Sequence, residues 1–220
     1  MARRPALTHD GILAAAVRVA DQGGLTRVSM RNVAGELGVE AMSLYHHLTG
    51  KDALLDGLAD WIFLQIDLPD PGQPWRPAMA QHAASARKAL AAHPWALGLI
   101  ESRRSPGPAL LHHHDAVLGC LRRNGFPVGL ASHAFSVLDA YVYGFVLTEV
   151  NLPFEAGEGA EDFVDSIREH LRVEQYPHVV EMITEQVVGK AYAYADEFDF
   201  GLNLILDGLE RDLASVTQNQ

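Results

Sequence analysis

Apolar residues recur along most of this chain at three- and four-residue intervals and nowhere in sustained alternation, so the pattern predicts helices throughout. Ile12, Ala15, Ala16, Val19 and Ala20 share one face of a first helix, which Thr8 can cap and Gly23-Gly24 can stop. Ser29 can cap a second, with Met30, Val33, Ala34 and Leu37 as its stripe and Gly38 at its end. Val39 then plugs the core, and Glu40 opens a short third helix through His47. Thr49-Gly50-Lys51-Asp52 has the spacing of a capping box, with Asp in place of Glu. It starts a fourth helix that runs to about Leu68 on a buried face of Leu54, Leu55, Leu58, Ile62 and Ile66.

The run LPDPGQPWRP at 68–77 holds four prolines in ten positions and reads as a boundary, dividing the chain into 1–67 and 68–220. Helical patterns resume at 78–92, 95–103, 109–123 and 128–150. An acidic stretch of small residues, Glu155–Asp162, reads as a mobile loop before two further helices at 163–173 and 178–194 and a last one at 196–216. The expected fold class is all-α. In the last helix Phe198, Leu202, Ile205 and Leu209 line one face, Phe200, Leu204 and Leu206 lie off it, and Gly201 and Gly208 leave a close-approach strip. A helix apolar on two faces has to bury both, which points to a homodimer interface of Phe198, Gly201, Leu202, Ile205, Gly208 and Leu209.

Composition narrows the class. With 48% hydrophobic and 20% charged residues, the chain is ordinary globular material. Its lone cysteine, Cys120, cannot form an intrachain disulfide and fits a reducing cytoplasm. The start carries a basic pair, Arg3-Arg4, without an apolar segment behind it, so no secretory leader is expected. The most apolar runs, 134–147 and 198–209, fall short of the ~20 residues of a membrane span and carry aspartates, so no membrane partner is expected. The net charge of −11 looks unfavourable for a nucleic-acid binder, but it is unevenly spread. Residues 1–60 hold six Lys/Arg against seven Asp/Glu, and residues 149–220 hold four against sixteen. The acidity is C-terminal, so it leaves a local groove-reading surface possible near the start.

The two short helices around Gly38 have the arrangement by which a small domain sets one helix in a DNA groove. Met30 to Leu58 resembles the helix-turn-helix of the tetracycline-repressor (TetR) family. The matching elements are Arg31 with Ala34, the Leu37-Gly38-Val39 turn, Leu44-Tyr45-x-His47, and Lys51 with Leu54-Leu55. His93-Pro94-Trp95, Asn124-Gly125-Phe126 and the Phe198–Leu209 run are similar to the C-terminal part of the same family. The resemblance implies a dimeric regulator with an N-terminal three-helix DNA-binding domain and a larger helical domain for ligand binding and dimerisation. It also implies a repressor released from a palindromic operator by a small-molecule effector, with no catalytic residues.

The implied DNA contacts are Arg31, Ala41, Met42, Ser43, Tyr45, His46, His47 and Lys51. Arg31 can fork onto a guanine edge or pair with Glu36 or Glu40. Ala41 and Met42 offer only apolar contact with thymine methyls. Ser43, Tyr45 and His46 suit phosphates, and Lys51 sits where a helix N-terminus attracts one. His47 can serve DNA or pack on the fourth helix.

In the family the effector sits among the C-terminal helices and its binding tilts the fourth helix. Tetracycline repressors hold magnesium there through a histidine; Ile100 stands at that position here and cannot ligate a metal. The expected effector is therefore an apolar organic molecule in a pocket lined by Ile100, Val117 and Tyr141, with His82 as a polar handle and no cofactor. His112-His113-His114-Asp115 points in successive directions around a helix and reads mostly as wet surface. A metal-dependent helical enzyme and a protein-interaction module are the alternatives. No phosphate-binding glycine loop, nucleophile elbow or HExxH occurs in the sequence.

Overall fold

The computed structural model describes residues 7–103, 105–155 and 159–218. Arg3 and Arg4 of the N-terminal arm lie outside the described residues, as does 156–158 of the acidic loop. Eleven α-helices run in the order α1 (His9–Gly23), α2 (Met30–Leu37), α3 (Ala41–Leu44), α4 (Lys51–Phe63), α5 (Trp75–Ala92), α6 (Trp95–Ser102), α7 (Pro108–Arg123), α8 (Val128–Glu149), α9 (Ala160–Ile167), α10 (Pro177–Gln186) and α11 (Glu197–Gln218), with no strand among the described residues. The chain packs as two units that meet within α8, one up to Tyr143 and one from Gly144.

Local chemistry sets the first four helices. The Thr8 hydroxyl accepts from the Gly11 N–H and the Ser29 hydroxyl from the Asn32 N–H, both at 3.1 Å, so each fills an orphan donor of its helix. Gly38 ends α2 in the left-handed region, at φ 64° and ψ 35°, and the Val39 N–H returns to the Ala34 carbonyl at 3.0 Å. That turn aims α3 away from α2. α3 is shorter than the expected span to His47. After Leu44 the chain tightens, with the N–H of His47 bonding the Leu44 carbonyl three residues back at 2.9 Å.

The capping box expected at α4 does not form. Gly50 takes the cap position at φ 147° and brings no side chain to the helix end. α4 also stops earlier than Leu68, because the N–H groups of Leu64, Gln65 and Ile66 bond carbonyls three residues back. The proline run does bound α5, yet Trp75 and Pro77 lie inside it: a missing N–H costs nothing in the first turn.

In the first unit α1 packs on α2 and α4, α4 on α6 and α7, and α5 on α7. Ile12, Ala15, Ala16, Val33, Leu44, Leu54, Leu58 and Ile62 are buried among these helices. Gly57 allows a close crossing: a Cβ there would stand 2.6 Å from the Leu13 side chain of α1. α8 runs 22 residues and, contrary to the sequence-based length, is long and apolar enough to cross a membrane by length and composition. Ala131, Ala134, Leu138 and Val142 are nonetheless buried inside the first unit, as in a core helix.

The second unit has its own small core, in which Ala160 and Val164 of α9 meet Ile183 of α10 and Val187, flanked by Phe154, Leu171 and Tyr192. α9 begins within the stretch expected to be loop, at Ala160. On α11, Phe198, Leu202, Leu206 and Leu209 are buried within the chain itself, whereas Phe200 and Leu204 are 66% and 58% exposed. Gly201, Ile205 and Gly208 lie half-exposed at the margin.

Replacing Gly38 by Ala forces a Cβ into the left-handed region, and the expected result is a loss of about 1 kcal/mol of stability. Denaturant unfolding of G38A with an unchanged midpoint would contradict this account of the turn.

Candidate DNA interface and ligand pocket

The turn at Gly38 leaves a narrow polar and apolar tip on the surface. Leu44 is fully buried beneath it. Met42 is 71% exposed and Tyr45 49% exposed, while Arg31, His46, His47 and Lys51 are exposed and Ala41 and Ser43 half-buried. Arg31 forms no ion pair among the described residues, and Glu36 of α2 is held by Arg18 of α1 at 2.7 Å. The guanidinium is therefore free to reach outward. His47 lies on the surface. All eight residues proposed from the sequence thus fall on α2, α3, the turn after it and the first residue of α4.

α4 leads from this tip to the rest of the first unit and is tied along its length. Arg103, just past α6, places Nε 2.7 Å from the Asp56 carboxylate. One turn further, Asp60 Oδ1 accepts from the N–H groups of Ala109 and Leu110 at 2.8 and 3.2 Å, a cap for α7 supplied by another helix. Gly107 makes room for it, since a Cβ there would stand 2.3 Å from that oxygen. Beyond the end of α4, both backbone groups of Asp67 are taken by α5. Its N–H donates to the Ser85 hydroxyl at 2.9 Å, and its carbonyl accepts from His82 Nδ1 at 2.7 Å. A fourth tie joins α1 to the α5–α6 junction, where Asp21 Oδ1 accepts from His93 Nδ1 and from the Trp95 indole N–H, each at 2.7 Å.

His82 has a second role. A carbonyl can only accept, so Nδ1 carries the proton, and burial pushes the ring below the ordinary imidazole range, leaving it neutral. Nε2 then presents a lone pair. His82 lines a mostly apolar pocket between α5, α7 and α8, together with Met79, His113, Val117, Leu138, Asp139 and Tyr143. His82 and Val117 of the expected pocket are there. Ile100 is not: it lines a different cleft with Asp56, Asp60 and Arg103. Tyr141, half-buried, also lies outside the lining, and Tyr143 takes its place.

Three further titratable groups in this pocket are shifted besides His82. Burial, with the neighbouring rings of His82 and His114, pushes His113 down to about 3. Burial pushes Asp139 up to about 7. Tyr143 rises as well, through burial and the nearby carboxyls of Asp139 and Glu101. The reading of His112–His114 as wet surface is corrected here, since His113 is only 2% exposed. The signal was in the spacing: with Val117, Cys120 and Leu121 it forms the buried stripe of α7.

Comparison with known proteins gives this arrangement a context. Residues 12–58 match bacterial regulatory proteins of the tetR family, and residues 68–213 match the tetracyclin repressor-like C-terminal domain. This chain belongs to the TetR family. The HTH-type transcriptional repressor DrrR1 of Streptomyces coeruleorubidus is 34% identical over 218 residues, spanning 94% of this chain and 78% of that protein. The class C tetracycline repressor of Escherichia coli is 27% identical over 209 residues, 93% of this chain and 91% of that one. Among solved structures, ActR of Streptomyces coelicolor in complex with actinorhodin superposes with a TM-score of 0.76 at 26% identity, covering 92% of this chain and 95% of that one. The expected class is therefore right: a DNA-binding, ligand-responsive repressor of all-helical fold and not an enzyme.

What the sequence did not indicate in this TetR-family chain are the ties from α4. Asp56 and Asp60 belong to no motif in the sequence, and Asp67 falls at the end of the expected fourth helix. Their partners, Arg103, the start of α7 and His82, are distant in sequence, so no local spacing points to them.

The raised Asp139 sets a pH test. A carboxyl bound more tightly to its proton in the folded state contributes stability that is present below the ordinary carboxylate range and lost as pH rises through about 7. Asp139→Asn removes that loss. The melting temperature of D139N relative to the natural protein is expected to be near parity at about pH 4, to rise between about pH 4 and 7, and to reach a plateau above about pH 8. A difference that does not change with pH would contradict a buried, proton-retaining Asp139.

Proposed function

We propose that this chain represses transcription as a homodimer on a palindromic operator in the cytoplasm, and that a small organic effector releases it. Residues 1–67 read the DNA and residues 68–220 bind the effector and the second subunit. Arg31 reads a base edge, Ala41 and Met42 lie against thymine methyls, and Ser43, Tyr45, His46, His47 and Lys51 set the register on phosphates. The exposed tip beyond the Gly38 turn supports this reading, together with the freedom of Arg31.

The observation that carries the effector half is the double engagement of His82, which lines the pocket and holds the end of α4. A molecule entering the pocket has to displace or rotate lining groups, because the open space there is only about 10 Å³. Any rotation of the His82 ring loosens the Asp67 carbonyl and so the far end of the helix that carries the reader. The ties at Asp56 and Asp60 transmit the change to α6 and α7 rather than letting α4 pivot alone. For the dimer, Phe200 and Leu204 are the apolar positions of α11 left uncovered; Gly201, Ile205 and Gly208 border them. Phe198, Leu202 and Leu209 support that face from within the chain. That ActR is bound to actinorhodin supports an organic effector of comparable kind, without identifying it.

A gel shift against the DNA upstream of the chain's own gene tests the regulator reading. We expect a shift at low salt that Arg31→Ala and Lys51→Ala each weaken by about tenfold, and a salt dependence shallower than that of a basic-arm DNA binder. No shift at low salt, or binding that falls as steeply as for many phosphate contacts per subunit, would contradict it.

A further inference from the structure

His113 stands out within the pocket. It is 2% exposed, and neither Nδ1 nor Nε2 has a hydrogen-bonding partner. Its ring lies 4.7 Å from that of His82, centroid to centroid, and both rings line a mostly apolar pocket whose other polar groups are Asp139 and Tyr143. A buried imidazole with both nitrogens unmet is a standing cost to the fold, and such groups are rare in natural proteins. Leucine would fill the same space in the α7 stripe without that cost. The exception calls for a group that completes it.

The hydrogen-bonding needs of the cluster define that group. A neutral His113 offers one N–H donor and one lone pair, and His82, its Nδ1 proton committed to Asp67, offers a second lone pair at Nε2. The site therefore asks for a donor and an acceptor together. A carboxylate has no proton to give to either lone pair and would stand near Asp139. An ammonium can give protons but cannot accept from the His113 N–H. A hydroxyl does both in one atom. The apolar part of the lining, Met79, Ala83, Val117, Leu138 and Val142, suits an uncharged, apolar body, and Met79 is the side chain most able to make way for it.

We propose that the pocket is a receptor for a neutral, largely apolar molecule that presents a hydroxyl group to His113 and His82. This rests on the effector reading above and names the group that the polar handle of the pocket would hold. It also assigns to His113 a role in specificity at a cost in stability: the site rejects a hydroxyl-free analogue because His113 would stay unpaired.

Calorimetric titration with 2-naphthol, decahydro-2-naphthol and naphthalene tests this on the natural protein and on His113→Leu. We expect at least one hydroxyl probe to bind about tenfold more tightly than naphthalene, the preferred one distinguishing a phenolic from an aliphatic alcohol site. In H113L the preference is expected to vanish while the ligand-free melting temperature stays equal or rises, as it should when an unpaired polar group is replaced. Naphthalene binding as tightly as both hydroxyl probes to the natural protein would overturn the proposal, whether or not the variant folds. So would a hydroxyl preference that survives in H113L. Operator binding is read separately by gel shift without probe: a hydroxyl preference in a chain that shifts no operator would remove the regulatory reading and leave the pocket assignment standing.

Discussion

The hydrogen bond from His82 Nδ1 to the Asp67 carbonyl is the contact on which the working of the first unit turns. Asp67 follows the last tight turn of α4, where the carbonyls no longer have helical partners, so a side chain from α5 can take one without breaking a helix. Ser85, one turn along α5, takes the N–H of the same residue. The end of the reader's helix is thus fixed at two points by a single helix that also lines the pocket. Because a carbonyl can only accept, this bond also fixes the His82 tautomer and decides what its other nitrogen can offer a ligand. One bond sets both the position of α4 and the chemistry of the pocket.

The rest of α4 is anchored by charge rather than by apolar burial alone. Asp56 meets Arg103, and Asp60 caps α7, so its outer side answers to two further helices while Leu54, Leu58 and Ile62 hold the inner one. Contacts of this kind are individually modest, and partly exposed pairs contribute little to stability. Their value here is geometric. They make several helices share any displacement of α4, which is what a switch between two discrete arrangements needs. The pocket shows the complementary economy: the unpaired His113 is a cost to the ligand-free fold that a partner bearing a hydroxyl relieves by entering.

Much of this was legible in the chain. Thr8, Ser29 and Gly38 act as expected because capping and left-handed turns are local properties. The surface tip of Met42 and Tyr45 and the burial of Leu44 follow from the helical period once the turn is placed. Boundaries were less legible where a tight turn replaced a regular one, after Leu44 and after Phe63. The α11 stripe was visible, but which of its two faces the chain covers for itself depends on tertiary packing; Phe198 and Leu202 are covered, and Phe200 and Leu204 are not. His113 illustrates how composition misleads: three consecutive histidines suggest a wet surface, while the stripe they interrupt places the middle one in the core. The ties of α4 were illegible for a simple reason, that each joins residues from 15 to about 50 positions apart.

Hydrogen exchange at the Asp67 amide tests the central link most directly, because that N–H is held by Ser85 only while α5 keeps its grip on the end of α4. In His82→Phe the ring volume is kept but the donor to the Asp67 carbonyl is lost. The account predicts that the Asp67 amide exchanges at least about tenfold faster in this variant while protection within α1 and α2 is unchanged. Equal protection of Asp67 in both proteins would show that His82 does not hold the end of α4, and the coupling described here would fail.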